Sequence, residues 1–219
     1  MDEKLSRKAI SAAVDPLGWR FVLGVIRTCV PVGSLAEAVE VAAAVCEPAA
    51  EGRLRLDLRD RWVILTLQTP DIIWVSPADI ELAGRITAIV RGMGRDTTGE
   101  SAQIMEIAID AADIAAVRPF WKAILGYVDE TAAGGPTDPL VDPLGQRPTI
   151  WFQQMDPPRL ERNRLHFDVC VPPDQAQQRM QAAIEAGGTL RYDAEAPAFW
   201  VLADVEGNEV CITTWEGRD

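Results

Sequence analysis

The sequence predicts an α+β protein of two domains, a small α+β domain followed by a pair of βαβββ modules. Three observations carry this. The stretch GMGRDTTGES (92–101) has no large apolar residue except Met93 and is rich in Gly, Ser and Thr, the composition of a linker. Before it, helix-like and strand-like segments alternate. After it, one order of elements occurs twice, with Glu106 and His166 at equivalent places and a period of 60 residues. The expected division is therefore 1–92, a linker over 93–102, and 103–219.

In the first domain, residues 5–14 read as a short helix. GWRFVLGVIRTCV (18–30) is rich in aromatic and β-branched residues and reads as a strand. SLAEAVEVAAAV follows, with Ser34 as N-cap and Glu37 three residues later, the pattern of a capping box. RLRLDL (53–58) and RWVILTL (61–67) flank Arg59-Asp60 and read as a hairpin. In VSPADIELAGRITAIV, Ser76 is a second N-cap. Pro77 takes the first helical position, where its missing N–H costs nothing.

In the second domain, QIMEIAIDAADIAAVRPFWKAILG (103–126) and NRLHFDVCVPPDQAQQRMQAAIEAGG (163–188) are each a strand, a turn and an amphipathic helix. Extended segments complete each unit: IWFQQM (150–155) in the first, AFWVLAD (198–204) and EVCITTW (209–215) in the second. Alternation assigns faces. Leu165, Phe167 and Val169 share the apolar face, which is expected to pack under the helices. His166, Asp168 and Cys170 share the other. In the equivalent strand, Glu106, Ala108 and Asp110 oppose Met105, Ile107 and Ile109. Trp151 shares a face with Gln153, and Trp200 with Leu202. Because Phe152 and Phe199 take the opposite faces, alternation leaves open which aromatics line a site and which are core.

Hydrophobic residues make up 48% of the 219, enough for a sizeable core. The formal net charge is −12: residues 1–100 contribute 12 basic and 14 acidic side chains, residues 101–219 contribute 9 and 19. Such an acidic chain repels phosphate backbones and anionic lipid, so neither nucleic acid nor a membrane is the expected partner. The four cysteines, Cys29, Cys46, Cys170 and Cys211, form no CxxC pair and no dense disulfide framework. With no leader-like start and no apolar run of about 18 residues, a soluble, reduced, cytoplasmic protein is expected. The chain has a single histidine, His166, which limits histidine-dependent chemistry to one place.

The FWKAILGY helix end, the FQQMDPPRLERNRLHFDV junction and the LADVEGNEVC ending resemble the vicinal oxygen chelate superfamily, in particular its glyoxalase/bleomycin-resistance-like proteins. The resemblance spans residues 103–215. It implies that the two modules form a sheet curved round a bowl that takes a small organic molecule, in many members with a divalent metal. Carried over by position, the implied metal ligands are Glu106, Gln153, His166 and Cys211. Cys211 stands where the family usually has a carboxylate, and Glu209 is the nearby acid on the same face. This mixed set implies zinc, iron, nickel or manganese. Trp151, Asp168, Trp200 and Glu209 are the candidate ligand-binding residues. A metal-dependent lyase, isomerase or dioxygenase and a metal-free binding protein both remain open.

The first domain resembles pterin-4a-carbinolamine dehydratase in its order of elements, in the WR at 19–20, and in the TLQT…SPADIELAGRI run. That family uses two adjacent histidines followed by proline, and a later histidine. Here Gly52-Arg53, Leu54 and Pro70 occupy those positions. Proton transfer to a carbinolamine needs groups that can give and take protons, and these residues cannot. The resemblance therefore implies a dehydratase-like fold without dehydratase activity, and a homodimerisation or interaction role.

Overall fold

The computed structural model describes residues 5–46, 52–99, 102–156, 167–214 and 216. The chain divides into two compact units, Met1–Ile104 and Met105–Asp219.

The first unit runs α1 (Arg7–Val14), β1 (Arg20–Val22), β2 (Val25–Pro31), α2 (Leu35–Cys46), β3 (Leu54–Leu58), β4 (Trp62–Leu67) and α3 (Pro77–Gly92). The four strands form an antiparallel sheet in the order β1-β2-β4-β3. Ile26 and Val30 of β2 and Val63, Leu65 and Leu67 of β4 point to one side, where they join Ile10, Val41, Leu82 and Ile86 of the helices in a core. The hairpin over 53–67 forms as the sequence predicts. So does the Ser76 cap: α3 opens with a full capping box between Ser76 and Asp79. At α2, Ser34 Oγ accepts the Glu37 N–H at 3.3 Å. The Glu37 carboxylate, however, accepts from Gly33 N–H (2.8 Å) and pairs with Arg95.

Two expectations change. The single strand over 18–30 is a hairpin, β1 and β2, turning at Leu23 and Gly24 with φ of 45° and 75°. Two successive left-handed residues are what a tight turn between right-twisted strands requires. The expected linker is bonded into the first unit over 95–99. Thr98 exchanges both backbone hydrogen bonds with Cys29 (2.9 and 2.8 Å), and Thr97 Oγ1 donates to Leu17 O at 2.6 Å.

Gly18 is the residue that admits this return of the chain. Its φ is +77°, and a Cβ there would lie 2.3 Å from Thr97 O. Gly18→Ala therefore meets both a left-handed backbone and a backbone oxygen. A loss of about 1–3 kcal/mol in urea unfolding is expected, and a neutral result would mean that 95–99 does not dock as described.

The second unit contains β5 (Glu106–Ala111), α4 (Ile114–Leu125), β6 (Val128–Asp129), β7 (Leu140–Val141) and β8 (Thr149–Gln154), then β9 (Phe167–Cys170), α5 (Pro173–Glu185), β10 (Thr189–Tyr192), β11 (Phe199–Ala203) and β12 (Glu209–Thr213). Each set makes its own four-stranded sheet, β5-β8-β7-β6 and β9-β12-β11-β10. In both, the first strand lies parallel to the last while the other neighbours are antiparallel. The same topology thus occurs twice, as the internal repeat predicts.

Asp113 caps α4 by accepting the Ala116 N–H at 3.1 Å, and Gly126 ends it at φ +66°. One core serves both modules: Ile109, Ile150 and Phe152 of the first and Leu202, Val210 and Ile212 of the second meet Phe120, Trp121 and Ile124 of α4 and Ala176 and Met180 of α5. Among the described residues no helix is long and apolar enough to cross a membrane.

Candidate functional site

Strand pairing defines the face that α4 and α5 leave uncovered. In the first module, parallel register places Glu106 beside Thr149, Ala108 beside Trp151 and Asp110 beside Gln153. Ile107, Ile109 and Ala111 point the other way, toward the helices. Glu106, Ala108, Asp110 and Gln153 are exposed and Trp151 is half-buried. The face is thus polar with one aromatic ring set into it.

In the second module, Asp168 lies beside Cys211 and Cys170 beside Thr213. Thr213 Oγ1 donates to Cys170 Sγ at 3.0 Å. Glu209 is on the Cys211 face and half-buried. Trp200 belongs to the other side. It pairs with Ile212, is 8% exposed and joins the helix-side core, so it is withdrawn from the candidate ligand-binding set. The aromatic residue on the uncovered face is its neighbour Phe199, which stacks on Tyr192 with centroids 5.9 Å apart and an interplanar angle of 22°.

His166 lies outside the described residues. Of the other positions implied as metal ligands, Glu106 and Gln153 are on the uncovered face of the first module and Cys211 on that of the second. Among the described residues no group of three or more His, Cys, Asp and Glu side chains is placed to hold a metal ion, so no chemical step is assigned to one.

One acidic residue of this region has no sequence signal. Glu130, just after β6, has its carboxyl pKa raised, first by burial and then by the charges of Glu106 and Asp138. Arg118 of α4 fixes the loop that carries it. Arg118 donates from Nε to Asp138 O and from a terminal nitrogen to Asp129 Oδ1, both at 2.7 Å. Lys122 also pairs with Asp129. Lys122 and then Arg118 hold the Asp129 carboxyl below the usual carboxylate range.

The family described as a glyoxalase-like domain matches residues 106–213. Residues 106–213 are thus a glyoxalase-like domain of the vicinal oxygen chelate superfamily. Solved structures similar to the chain include a glyoxalase/bleomycin resistance protein/dioxygenase family enzyme from Burkholderia phytofirmans PsJN, at 22% identity, 50% of this chain, 95% of that one and a TM-score of 0.40. A glyoxalase-related enzyme from Fulvimarina pelagi is 16% identical over 51% of this chain and 87% of that one, with a TM-score of 0.41. The fosfomycin resistance protein FosX from Mesorhizobium loti is 9% identical over 51% and 90%, with a TM-score of 0.39. No curated protein matches the chain.

Proposed function

We propose that the glyoxalase-like domain binds a small, partly apolar organic molecule on its uncovered face. The observation that supports this most is Trp151. It is a half-buried indole flanked in the sheet by Ala108, with Glu106, Asp110 and Gln153 around it. An aromatic surface with a few polar groups beside it is the usual make-up of a small-molecule site. Asp168 and Glu209 are proposed as polar contacts from the second module.

Titration with anilinonaphthalene sulfonate tests the reading. Trp151→Ala is expected to weaken binding about tenfold, since loss of one aromatic platform removes on the order of 1–1.5 kcal/mol. Equal binding by wild type and variant would remove Trp151 from the site.

A divalent ion is a second reading, favoured by Glu106 on the uncovered face and by Asp168 lying beside Cys211. Elemental analysis of protein purified without chelator decides it. Zinc, iron, nickel or manganese near one equivalent, lost in His166→Ala and in Glu106→Ala, would support a metal-dependent lyase, isomerase or dioxygenase. A wild-type protein that takes up none of these on dialysis rules that reading out.

For the first unit we infer an interaction or dimerisation role without carbinolamine dehydratase activity. Arg53, which stands at a position of the dehydratase histidine pair, is engaged by Thr69, Ser76 and Asp79. A guanidinium stays protonated in any case and cannot act as a base. Light scattering of the full chain reads the oligomeric state; a monomer at all concentrations would remove the dimerisation role.

A further inference from the structure

We propose that the first unit carries an anion site on its sheet, formed by Arg27, Thr66 and Arg55, that takes the phosphoryl group of a small organic phosphate. Strand register places these residues together. Arg27 of β2 and Arg55 of β3 both lie opposite Thr66 of β4, from its two sides. Arg20 of β1 lies opposite Arg27, so one row of the sheet reads Arg20, Arg27, Thr66, Arg55. This row is on the face away from the core, because its neighbours along the strands, Ile26, Leu65 and Leu67, point to the helices. Two strand spacings put the Arg27 and Arg55 backbones about 10 Å apart. Two arginine side chains can span that gap above the Thr66 hydroxyl.

The hydrogen-bonding state of the row points to a missing partner. Arg20 is engaged, with the Asp15 carboxylate at 3.7 Å and the Trp19 carbonyl at 2.8 Å. Arg27 donates one terminal nitrogen to Gln103 O at 2.9 Å, but its Nε is buried with no hydrogen-bond partner. Arg55 makes no hydrogen bond or ion pair among the described residues. Asp57, two residues along on the same face, is bonded to Arg59 at 2.9 Å. Burial, and then the Arg27 charge, lower the Arg55 pKa from its ordinary value.

Two arginines on one face of the sheet that repel each other, neither bonded to a carboxylate among the described residues, are stabilised by a bound anion. An arginine fork matches phosphoryl oxygens in two parallel hydrogen bonds. Forks from two sides with a hydroxyl between them supply donors for three oxygens, which a tetrahedral phosphoryl group uses and a planar carboxylate does not. The net charge of −12 disfavours a polyanionic backbone, leaving a small phosphate monoester as the ligand class.

The test uses the full chain at low ionic strength and near neutral pH. Calorimetry and thermal unfolding are followed with inorganic phosphate, phenyl phosphate and acetate, each against chloride of the same ionic strength. Both phosphates are expected to bind and to raise Tm, phenyl phosphate at least as tightly as inorganic phosphate. Arg27→Gln and Arg55→Gln are each expected to weaken binding about tenfold or more. Arg55→Lys should fall between, because a point charge lacks the fork.

In chloride alone, Arg55→Gln should keep or raise Tm, since it relieves the Arg27–Arg55 repulsion; a structural role would lower it. The proposal is overturned if phosphate gives no more heat or Tm shift than chloride, or if both variants bind phosphate as wild type does. A lower Tm for Arg55→Gln in chloride also overturns it. Acetate binding as tightly as phosphate overturns the phosphoryl assignment. Phenyl phosphate binding more weakly than inorganic phosphate overturns the organic-phosphate assignment.

Discussion

Asp79→Ala is expected to destabilise the first unit by about 3–5 kcal/mol, because it removes a fully buried carboxylate that holds an ion pair, three hydrogen bonds and the cap of α3 together. The Asp79 side chain is 0% exposed and that of Arg53 is 18% exposed, with 3.2 Å between Oδ1 and the guanidinium. The other carboxylate oxygen accepts three hydrogen bonds: from Thr69 Oγ1 at 2.6 Å, from Ser76 N–H at 2.8 Å and from Ser76 Oγ at 3.0 Å. Alanine would take the Asp79 carboxylate from the Arg53 guanidinium, orphan the Ser76 N–H and remove half of the capping box that starts α3.

Asp79→Asn keeps one acceptor oxygen and the side-chain volume, so a smaller loss is expected. Replacing both partners with apolar residues, Arg53→Met with Asp79→Leu, should recover much of the loss, since the desolvation cost of both charges goes with them. Urea unfolding of the three variants measures this. Were Asp79→Ala to cost under about 1 kcal/mol, the range of an exposed ion pair, the network would not be buried in solution.

Local signals in the sequence predicted the local structure well. Ser76 and Pro77 are adjacent, and the cap they predict is present, with Asp79 completing it as a capping box. The hairpin across Arg59-Asp60 and the alternating faces of β5 and β9 are equally short-range, and both are found. The turn at Leu23-Gly24 was hidden because an apolar, β-branched pattern runs through it on both sides. The docking of 95–99 was hidden for a different reason. Thr98 bonds to Cys29 through backbone atoms, which leave no trace in the residue types of a Gly/Thr-rich segment.

The site was legible only where periodicity reached. Alternation correctly grouped Glu106, Trp151, Gln153, Asp168 and Cys211 by face within each strand. It could not choose between Phe199 and Trp200, because two adjacent aromatics satisfy either phase. The pairing of Trp200 with Ile212 makes the choice, and that pairing is non-local. Glu130 was invisible because its position depends on two strands of two residues each, β6 and β7, and on Arg118 reaching across from α4.

Trp121→Ala is expected to cost about 3–5 kcal/mol, the range for emptying a large buried aromatic site. The indole is 1% exposed and packs edge-on against Phe120 and Phe167, with centroids 5.6 and 5.8 Å away. Its Nε1–H donates to Asp204 Oδ2 at 3.0 Å. Asp204 organises the turn between β11 and β12, accepting from Glu206 N–H at 3.0 Å, Asn208 N–H at 2.9 Å and Asn208 Nδ2 at 2.7 Å. From that turn the Glu206 carboxylate reaches back to accept from the N–H groups of Ala112 and Asp113 at 2.8 and 2.6 Å, just before α4. The helix of the first module and the last hairpin of the second are therefore linked twice, once by Trp121 and once by Glu206.

Trp121→Phe keeps most of the ring volume and removes only the hydrogen bond to a buried carboxylate, so about 1–3 kcal/mol is expected. Because β12 presents Glu209 and Cys211 to the uncovered face, loosening this turn should also weaken anilinonaphthalene sulfonate binding, more in Trp121→Ala than in Trp121→Phe. Chemical denaturation and dye titration of both variants measure the two effects. If alanine costs no more than phenylalanine, the ring is not a wedge between the modules. If stability falls and binding does not, the uncovered face of the second module does not contribute to the site.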